Sequence, residues 1–469
     1  MDFEVAMVRR GKSRGCLPAG RGQAQCVENY VQLSSILQIG RVSQISPFML
    51  LKAPYIVTME GPVLKDHAIW VEGEKIVQIA PQKELTGIPA SAGMTDEVDL
   101  PNTILLPGLV NCHCHLELSQ LPEPLPYPGS FVLWIDALTR AKLGMTPADT
   151  VAAIQNGIQK LLAGGTTTVA DHVSVGADLK PLFDSPLDGI IYLEVMGIER
   201  QRAEGFYRQA IELQNSNFKI QNKSQIINPK FKIIPTPHAP YSLLPEIFQK
   251  LTSAHPHTRA SAPLSIHIAE SAEEFLLFKE NCGPLFEFLQ LKGKTPPSQN
   301  ETPIHYLERL GLLPDHFMAI HANYLEDEDI TALLRAEATV VHCPGSHAYF
   351  EHDRFPMGFF LDAEINVALG TDSLASNESL SMLREMQIAI DTYPELTPES
   401  VLKMATVNGA KALMREHEIG SLKADKLANM IGVPMHAPHK SICDNILLSE
   451  KSCFSMIRGL YASNQSIRR

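Results

Sequence analysis

The amino-acid sequence predicts an α/β protein, a (β/α)8 TIM barrel with a small β-sandwich domain built from both chain ends. Three observations lead to this prediction. From residue 103 to residue 414, short apolar β-rich segments alternate with segments of helical periodicity. Eight such strands fit into this range, as an eight-fold barrel requires. The flanking segments, 49–102 and 415–469, contain further short strands and turn signals, so we expect the two chain ends to pair beside the barrel.

Length and composition fit one large domain with a smaller one beside it. The chain has 469 residues, 45% of them hydrophobic, and can therefore bury a large core. A net charge of −12 and the lack of a long Lys/Arg block exclude a nucleic-acid footprint and favour a small molecule as the partner. No apolar run reaches the roughly 20 residues of a membrane helix, so no membrane partner is expected. Eight cysteines without a C-x-x-C pair or an N-terminal signal segment predict a cytoplasmic protein.

The first 48 residues differ from the rest of the chain. They are basic and have little apolar periodicity, which predicts a disordered extension. Asp2 and Glu4 argue against a targeting peptide, because such peptides are poor in acidic residues. We therefore place the start of the folded part at Met49.

The eight predicted strands are apolar and rich in β-branched residues. They cover residues 103–115, 166–172, 189–196, 231–239, 264–270, 317–325, 338–344 and 366–373. A Pro-Gly pair inside the first predicts a kinked strand. Between the strands lie helical segments, one of which has a C-terminal stop at Gly164 and Gly165. We expect a surface loop at 215–225, and we count 441–449 with the β-rich C-terminal part.

The motif NCHCH, residues 111–115, places two histidines and two cysteines in four consecutive positions. Side chains alternate along a strand, so His113 and His115 face one side and Cys112 and Cys114 face the other. Two imidazoles on one face can bind one cation, and the cysteines then pack behind the strand. A single buried histidine is more often structural, so a metal site needs further ligands.

Histidines and acidic residues recur at the C-terminal ends of the predicted strands, where the chemistry of a (β/α)8 barrel gathers. One barrel mouth can bring together three imidazoles and one carboxylate, from His113, His115, His267 and Asp372. This set suits one divalent metal ion, Zn²⁺ first and Fe²⁺ second, with a position left for water.

Five motifs occur in a fixed order: PGLVNCHCHLELS, HAPYSL, HIAES, HCPGSH and LGTDSLASNESLSMLREM. They resemble those of the amidohydrolase superfamily, in its branch of cytosine-deaminase-like and chlorohydrolase-like enzymes, over nearly the whole chain from residue 49. HLELS and TDSLASNESL look most like the aminodeoxyfutalosine deaminases of menaquinone biosynthesis. The resemblance implies an amidohydrolase or deaminase, a hydrolase acting on carbon–nitrogen bonds of cyclic amidines.

The resemblance also implies roles for individual residues. The implied metal ligands are His113, His115, His267 and Asp372, and Asp372 also accepts a proton. Glu270 would shuttle protons, His321 would assist the attacking hydroxide, and His238 would face the substrate. The fourth strand has no lysine at its end, where binuclear relatives carry a carboxylated lysine, so a single metal is implied. The motif HCPGSH departs from the family at Gly345, where an arginine is frequent.

Several residues keep alternative interpretations. Glu117 either accepts a hydrogen bond from the substrate or is a buried structural acid. Ser373 either contacts the substrate or caps the next helix. Glu270 can face the site only if the chain turns at Ala269, because it follows His267 by three residues. Three residues are assigned to structure rather than to the site: His172, Glu194 and His342.

The leading hypothesis is a metal-dependent aminohydrolase that deaminates an adenine-type nucleoside or a related N-heterocycle, with aminodeoxyfutalosine as the specific candidate. A second hypothesis is hydrolysis of another C–N bond or of a C–Cl bond, because one metal site can serve several leaving groups. A third is a catalytically inactive barrel used as a binding protein, which the intact ligand set with Glu270 disfavours. A homodimer is one option for the oligomeric state.

Deletion of residues 1–48 should leave folding and activity intact, because this segment lacks the apolar periodicity of a folded element. The yield of soluble protein and its turnover rate, compared with those of the full chain, measure this. Loss of soluble protein would show that the extension is part of the fold.

Overall fold

The structure is a computed structural model that describes residues 48–85, 95–121, 125–223, 230–254, 262–293, 298–437 and 439–463. The extension predicted for residues 1–48 lies outside these ranges, apart from Phe48. That residue opens strand β1 (Phe48–Ile56), where it pairs with Glu72 of β2 (Leu64–Glu72). Phe48, which the sequence analysis assigned to the extension, is therefore part of a strand.

Strands from both ends of the chain form one mixed sheet, which has eight strands within the described ranges. Across the sheet the order is β16 (Leu460–Ser463), β15 (Phe454–Ile457), β14 (Met430–Pro434), β5 (Thr103–Pro107), β1, β2 and β3 (Lys75–Pro81), with β4 (Thr95–Asp99) paired to β1. In the antiparallel pair of β5 and β14, Leu105 lies opposite Gly432. The predicted association of the two chain ends is thus present as strand pairing.

Between these ends, the described part of the chain has two four-stranded parallel sheets, and each of their strands overlaps a predicted one. The first contains β6 (Leu109–Cys114), β7 (Thr166–Ser174), β8 (Asp188–Val195) and β9 (Phe231–Pro237). The second contains β10 (Ser265–Ile268), β11 (Met318–His321), β12 (Thr339–His342) and β13 (Asn366–Leu369). Their strands are almost entirely buried, which explains continuous apolar runs in place of alternation. The α/β class predicted from the sequence is confirmed.

Helices connect most of the parallel strands. They are α1 (Phe131–Leu143), α2 (Pro147–Ala163), α3 (Lys180–Asp184), α4 (Arg200–Lys223), α5 (Pro245–Ala254), α6 (Ala272–Lys279), α7 (Pro284–Leu291), α8 (Pro303–Arg309), α9 (Asp327–Arg335), α10 (Pro344–Tyr349), α11 (Met357–Asp362), α12 (Met382–Thr392), α13 (Pro398–Met404), α14 (Val407–Ala412) and α15 (Ile442–Leu447). No helix in the described ranges has the length and apolar character needed to cross a membrane.

Two sequence expectations about local structure are wrong. The loop predicted at 215–225 is helical as far as Lys223, because α4 meets no proline or glycine before that residue. The segment 441–449, counted as β-rich, contains helix α15. Ser441 caps this helix by accepting a hydrogen bond from the backbone N of Asp444 at 3.1 Å.

The predicted kinked strand at 103–115 is divided between two sheets at Pro107 and Gly108. Its first half is β5 of the mixed sheet, and its second half is β6 of the parallel sheet. A Cβ atom on Gly108 would lie 2.0 Å from Oγ1 of Thr167, so only glycine fits this crossing. The crossing fixes the start of β6 and therefore which face of the strand carries His113.

A buried ion network joins the N-terminal end of β8 to the mixed sheet. Asp188, the first residue of β8, accepts hydrogen bonds from Arg415 at 3.0 and 2.9 Å and from Nε of Arg458 at 3.2 Å. Arg458 lies between β15 and β16 and also donates to Glu74 at 2.8 Å. Because Asp188 and both arginines are buried, each charge depends on its partners.

Asp188→Asn should lower the free energy of unfolding by about 3–5 kcal/mol, because two buried guanidinium groups would lose their shared carboxylate. Urea unfolding measures the change. The matched control is Asp184→Asn, four residues earlier and 64% exposed, which should stay within about 0.5 kcal/mol of the parent. Equal stability of the two variants would contradict the role given to the network.

Candidate metal centre and active site

The predicted metal ligands come together at the C-terminal ends of the parallel strands. His113 lies on β6 with His115 just after it, His267 lies on β10, and Asp372 follows β13. Nε2 of His267 lies 3.3 Å from Nε2 of His113 and 3.4 Å from Nε2 of His115. Oδ1 of Asp372 lies 3.6 and 3.9 Å from those same two histidine atoms. Both imidazoles of the motif thus reach the same cluster, His113 from β6 and His115 from just beyond its end.

The distances between these atoms suit a single ion. Ligand atoms about 2.0–2.1 Å from a tetrahedral metal are about 3.3 Å apart, close to the 3.3–3.9 Å found here. Burial lowers the pKa of His115 to about 4 and, together with neighbouring histidines, holds the pKa of His267 well below its usual value. Both imidazoles are therefore neutral, which is the form that binds a metal.

Asp372 is held as a carboxylate with one oxygen free for the site. Burial by itself would raise its pKa, but its interactions with His113, and to a smaller extent with His321 and His115, hold that pKa well below its usual range. Ser346 and Ser376 donate to Oδ2 at 2.7 and 2.8 Å, so Oδ1 is the atom that faces the histidines. The backbone of Asp372 has a positive φ of 55°, a costly conformation that aims its side chain inward.

A second histidine supports His113 from behind. Nδ1 of His113 lies 3.1 Å from Nδ1 of His172, whose Nε2 lies 2.7 Å from Oγ of Ser265. If Nε2 of His113 faces a metal, its proton sits on Nδ1 and is donated to His172. His172, which the sequence assigned to structure, thus contacts a predicted ligand directly.

Glu194 is another residue beside the cluster that the sequence analysis did not assign to the site. It lies near the C-terminal end of β8, is buried, and approaches the outer nitrogens of two predicted ligands. Its Oε1 is 3.4 Å from Nδ1 of His267 and its Oε2 is 3.7 Å from Nδ1 of His115. Its position at the end of a parallel strand was the signal that could have identified it.

Glu270 and His321 face each other beside the cluster. The chain makes the required turn at Ala269, which has a φ of 51°, and Oε1 of Glu270 then lies 3.5 Å from Nε2 of His321. Burial and the nearby charge of Asp372 raise the pKa of Glu270 well above its usual value. Burial also lowers the pKa of His321. These shifts favour the protonated form of Glu270 and the neutral form of His321, a combination suited to proton transfer to a substrate.

The three residues predicted to bind substrate lie in different surroundings. His238 stacks on His267 with ring centroids 4.8 Å apart, and its Nδ1 lies 2.8 Å from Oγ of Ser242. It is partly exposed beside the cluster, and its contact with a substrate stays a prediction.

Glu117 and Ser373 already have protein partners. Oε1 of Glu117 accepts hydrogen bonds from Lys142 at 2.6 Å and from Oγ of Ser174 at 2.9 Å. Burial opposes ionisation of Glu117, but these partners outweigh it and lower its pKa. Oγ of Ser373 accepts a hydrogen bond from the backbone N of Ala375 at 3.2 Å, within its own loop. These contacts favour the structural interpretation of both residues, and substrate binding by either stays a prediction.

The departure from the family motif at Gly345 has a steric reason. A Cβ atom there would lie 2.5 Å from the side-chain amide of Asn377. That amide donates to the buried carboxylate of Glu385 at 2.7 Å, and the backbone N of Gly345 donates to the same carboxylate at 2.8 Å. An arginine side chain does not fit without moving this network.

Parallel βα units that end in a histidine and aspartate cluster, with a buried acid beside it, are the architecture of metal-dependent hydrolases. Residues 104–442 match the amidohydrolase family, and the chain belongs to this family. The family resemblance and the enzyme class predicted from the sequence are thereby confirmed.

Individual relatives agree with this membership. The chain is 28% identical over 387 residues to a 5-methylthioadenosine/S-adenosylhomocysteine deaminase of Pyrococcus furiosus, covering 80% of this chain and 85% of the relative. Its fold is similar to that of Helicobacter pylori aminofutalosine deaminase, with a TM-score of 0.74, 23% identity and coverage of 88% of this chain and 99% of that one. A zinc-bound adenosine deaminase of Xanthomonas campestris gives a TM-score of 0.71 at 23% identity, over 88% and 92% of the two chains.

Zn²⁺ added to the metal-free protein should raise its stability by about 2.7 kcal/mol when free zinc is 100 times its Kd, because zinc binds only the folded site. His267→Ala should remove most of this gain, since it deletes the imidazole shared by two of the short contacts. Thermal unfolding with and without zinc measures both effects.

The matched control for that experiment is His417→Ala, whose side chain is 69% exposed and far from the cluster in sequence. It should keep the full zinc-dependent gain. An equal gain in His267→Ala and in the parent would show that zinc binds elsewhere.

Proposed function

We propose that the protein is a metal-dependent aminohydrolase that deaminates an adenine-type nucleoside or a related N-heterocycle. The observation that carries the proposal is the cluster of His113, His115, His267 and Asp372 with the Glu270–His321 pair beside it, 3.5 Å apart. The relatives reported above are deaminases of adenosine, 5-methylthioadenosine, S-adenosylhomocysteine and aminofutalosine, which supports an adenine-type substrate.

We also propose that the two parallel sheets form one closed (β/α)8 barrel within the predicted range 103–414, beginning at β6 because β5 belongs to the mixed sheet. Backbone contacts between the sheets support closure at both junctions. Between β9 and β10, the N of His267 donates to the O of His238 at 2.9 Å. Between β13 and β6, Cys114 forms a parallel bridge with Asp372. Residues 49–102 and 415–469 would then form the β-sandwich domain, supported by the strand pairing of the two ends.

One divalent metal ion, Zn²⁺ before Fe²⁺, would be held by the three imidazoles and Asp372. The spacing of these groups and the lowered pKa values of His115 and His267 support this assignment, and zinc in the adenosine deaminase structure supports the choice of ion. When bound, the ion supplies activation of water for attack at neutral pH.

The chain's own residues would handle the protons of the reaction. Oδ1 of Asp372, an unprotonated oxygen facing the site, would accept a proton from the attacking water. Glu270, whose raised pKa favours the protonated form, would give its proton to the ring nitrogen beside the amino-bearing carbon. It would then take up the remaining hydroxyl proton as the C=O bond forms and pass it to ammonia as the C–N bond breaks, and the proton accepted by Asp372 would restore Glu270. Nε2 of His321 is buried without a hydrogen-bond partner among the described residues, so it is free to orient the attacking oxygen. Water and the amine thus give the carbonyl product and ammonia.

Aminodeoxyfutalosine is the specific substrate we propose, which would place the enzyme in menaquinone biosynthesis. The Helicobacter pylori aminofutalosine deaminase, matched over 99% of its length, supports this choice. A second candidate is hydrolysis of a C–Cl bond, supported by a similar fold in the atrazine chlorohydrolase of Arthrobacter aurescens, with a TM-score of 0.72 at 19% identity over 88% of this chain and 94% of that one. A cytoplasmic location and a homodimer stay predictions.

A screen of product release tests these functions against one another. The zinc-loaded protein is incubated with adenosine, 5-methylthioadenosine, aminodeoxyfutalosine, guanine, cytosine and a chlorotriazine, and released ammonia and chloride are measured. Ammonia from an adenine nucleoside supports the proposal. Chloride release alone supports the second candidate, and release of neither from any compound contradicts both.

Glu270→Gln should reduce turnover about 10²- to 10⁴-fold and leave the zinc content unchanged, because the amide cannot deliver a proton but does not touch the predicted ligands. Steady-state kinetics and metal analysis measure the two effects. The control is Glu280→Gln, an exposed position ten residues later, which should keep full turnover. A near-normal rate in Glu270→Gln would refute the assignment.

A further inference from the structure

Glu194 lies behind two of the predicted metal ligands. Its carboxylate is 4% exposed, and its two oxygens approach different histidines. Oε2 lies 3.7 Å from Nδ1 of His115, and Oε1 lies 3.4 Å from Nδ1 of His267. The resemblance to known motifs gave this residue no role, and the mechanism above does not use it.

We propose that Glu194 is a positioning residue that holds His115 and His267 together through their Nδ1–H groups and thereby sets the affinity of the site for zinc. The inference rests on the proposed metal-dependent function. It extends that function to a residue on β8, a strand that contributes none of the predicted ligands.

The tautomers of the two histidines require acceptors at this position. Each Nε2 faces the cluster and must be unprotonated to bind a metal, so each Nδ1 carries a hydrogen. A carboxylate offers two acceptor oxygens and can serve both donors at once. A glutamine side chain offers one acceptor oxygen and one donor group, so it can serve only one of the two histidines.

Two features of the surroundings of Glu194 support the positioning role. Oε1 is buried and has no conventional hydrogen bond within the described ranges, which is costly for a carboxylate oxygen. His267 Nδ1 also lies 3.3 Å from the backbone O of His238, so its proton lies between two acceptors. A metal at Nε2 withdraws electron density from the ring and strengthens Nδ1–H as a donor. Metal binding should therefore tighten the contacts to Glu194, and Glu194 should in turn tighten metal binding.

The alternative to a positioning role is a second metal ion that Glu194 itself binds. Glu194, His238 and His267 also offer ligand atoms within 4.8 Å of one another and are chemically able to hold an ion of their own. In that case zinc would bind with a stoichiometry of two, and a change at Glu194 would remove one ion. The positioning role instead requires one ion, bound more weakly when Glu194 is changed.

The experiment compares Glu194→Gln with the parent by zinc titration against a chromophoric chelator. We expect one zinc per chain in both and a Kd about 10- to 100-fold weaker in the variant, as for other residues that orient metal-binding histidines. The visible spectrum of the Co²⁺-loaded protein should also change, because the two histidines lose their fixed orientation. Glu199→Gln is the matched control, since Glu199 is exposed five residues later, and it should keep the parent Kd and spectrum.

Three results would overturn the inference. An unchanged zinc Kd with a raised KM would make Glu194 a substrate-binding residue, and an unchanged Kd with a less stable metal-free protein would make it merely structural. A stoichiometry that falls from two to one would show a second ion site.

Glu194→Asp keeps both acceptor oxygens on a shorter arm, so its zinc Kd should lie between those of the parent and Glu194→Gln. It replaces the Gln variant if that variant does not fold. Zinc affinity is measured without substrate, so the result does not depend on which reaction the enzyme catalyses.

Discussion

The close approach of three imidazoles and one carboxylate, with contacts of 3.3–3.9 Å, is the constraint on which the rest of the site depends. Burying several polar side chains this close together costs free energy unless each one also has a hydrogen-bond partner on the side that faces away from the cluster. The structure supplies such partners from helix α10, from the loop after β13 and from strand β7. Ser346 and Ser376 hold Asp372, and His172 lies behind His113. Positive φ angles at the strand ends, as at Ala269 and Asp372, add backbone strain, which the packing of the surrounding structure offsets.

Parallel strands make this convergence possible. Their C-terminal ends meet on one side of each sheet, so residues distant in sequence, such as His113 and Asp372, become neighbours. At the opposite ends of the strands, Asp188 and its two arginines join the same sheet to the mixed sheet of the chain termini. Strand β8 therefore begins at Asp188, in the buried ion network, and near its other end it carries Glu194, beside the predicted metal ligands.

The parts of the site that depend on local geometry could be predicted from the sequence. Alternation along a strand placed His113 and His115 together, and the spacing of Glu270 from His267 required the turn found at Ala269. Contacts between distant segments could not be predicted: the strand-end position of Glu194 marks it as a candidate, but the sequence does not show which histidines Glu194 and His172 approach. The same limit applies to the crossing at Gly108, which depends on the distant Thr167. Helix α15 is an error of another kind, because its cap at Ser441 is local and was interpreted as part of a β-rich segment.

Anomalous diffraction at the zinc absorption edge, on crystals of the zinc-loaded protein, tests the central claim most directly. We expect one strong peak per chain at the point enclosed by Nε2 of His113, His115 and His267 and Oδ1 of Asp372. Absence of a peak there, or a peak elsewhere in the chain, would contradict it.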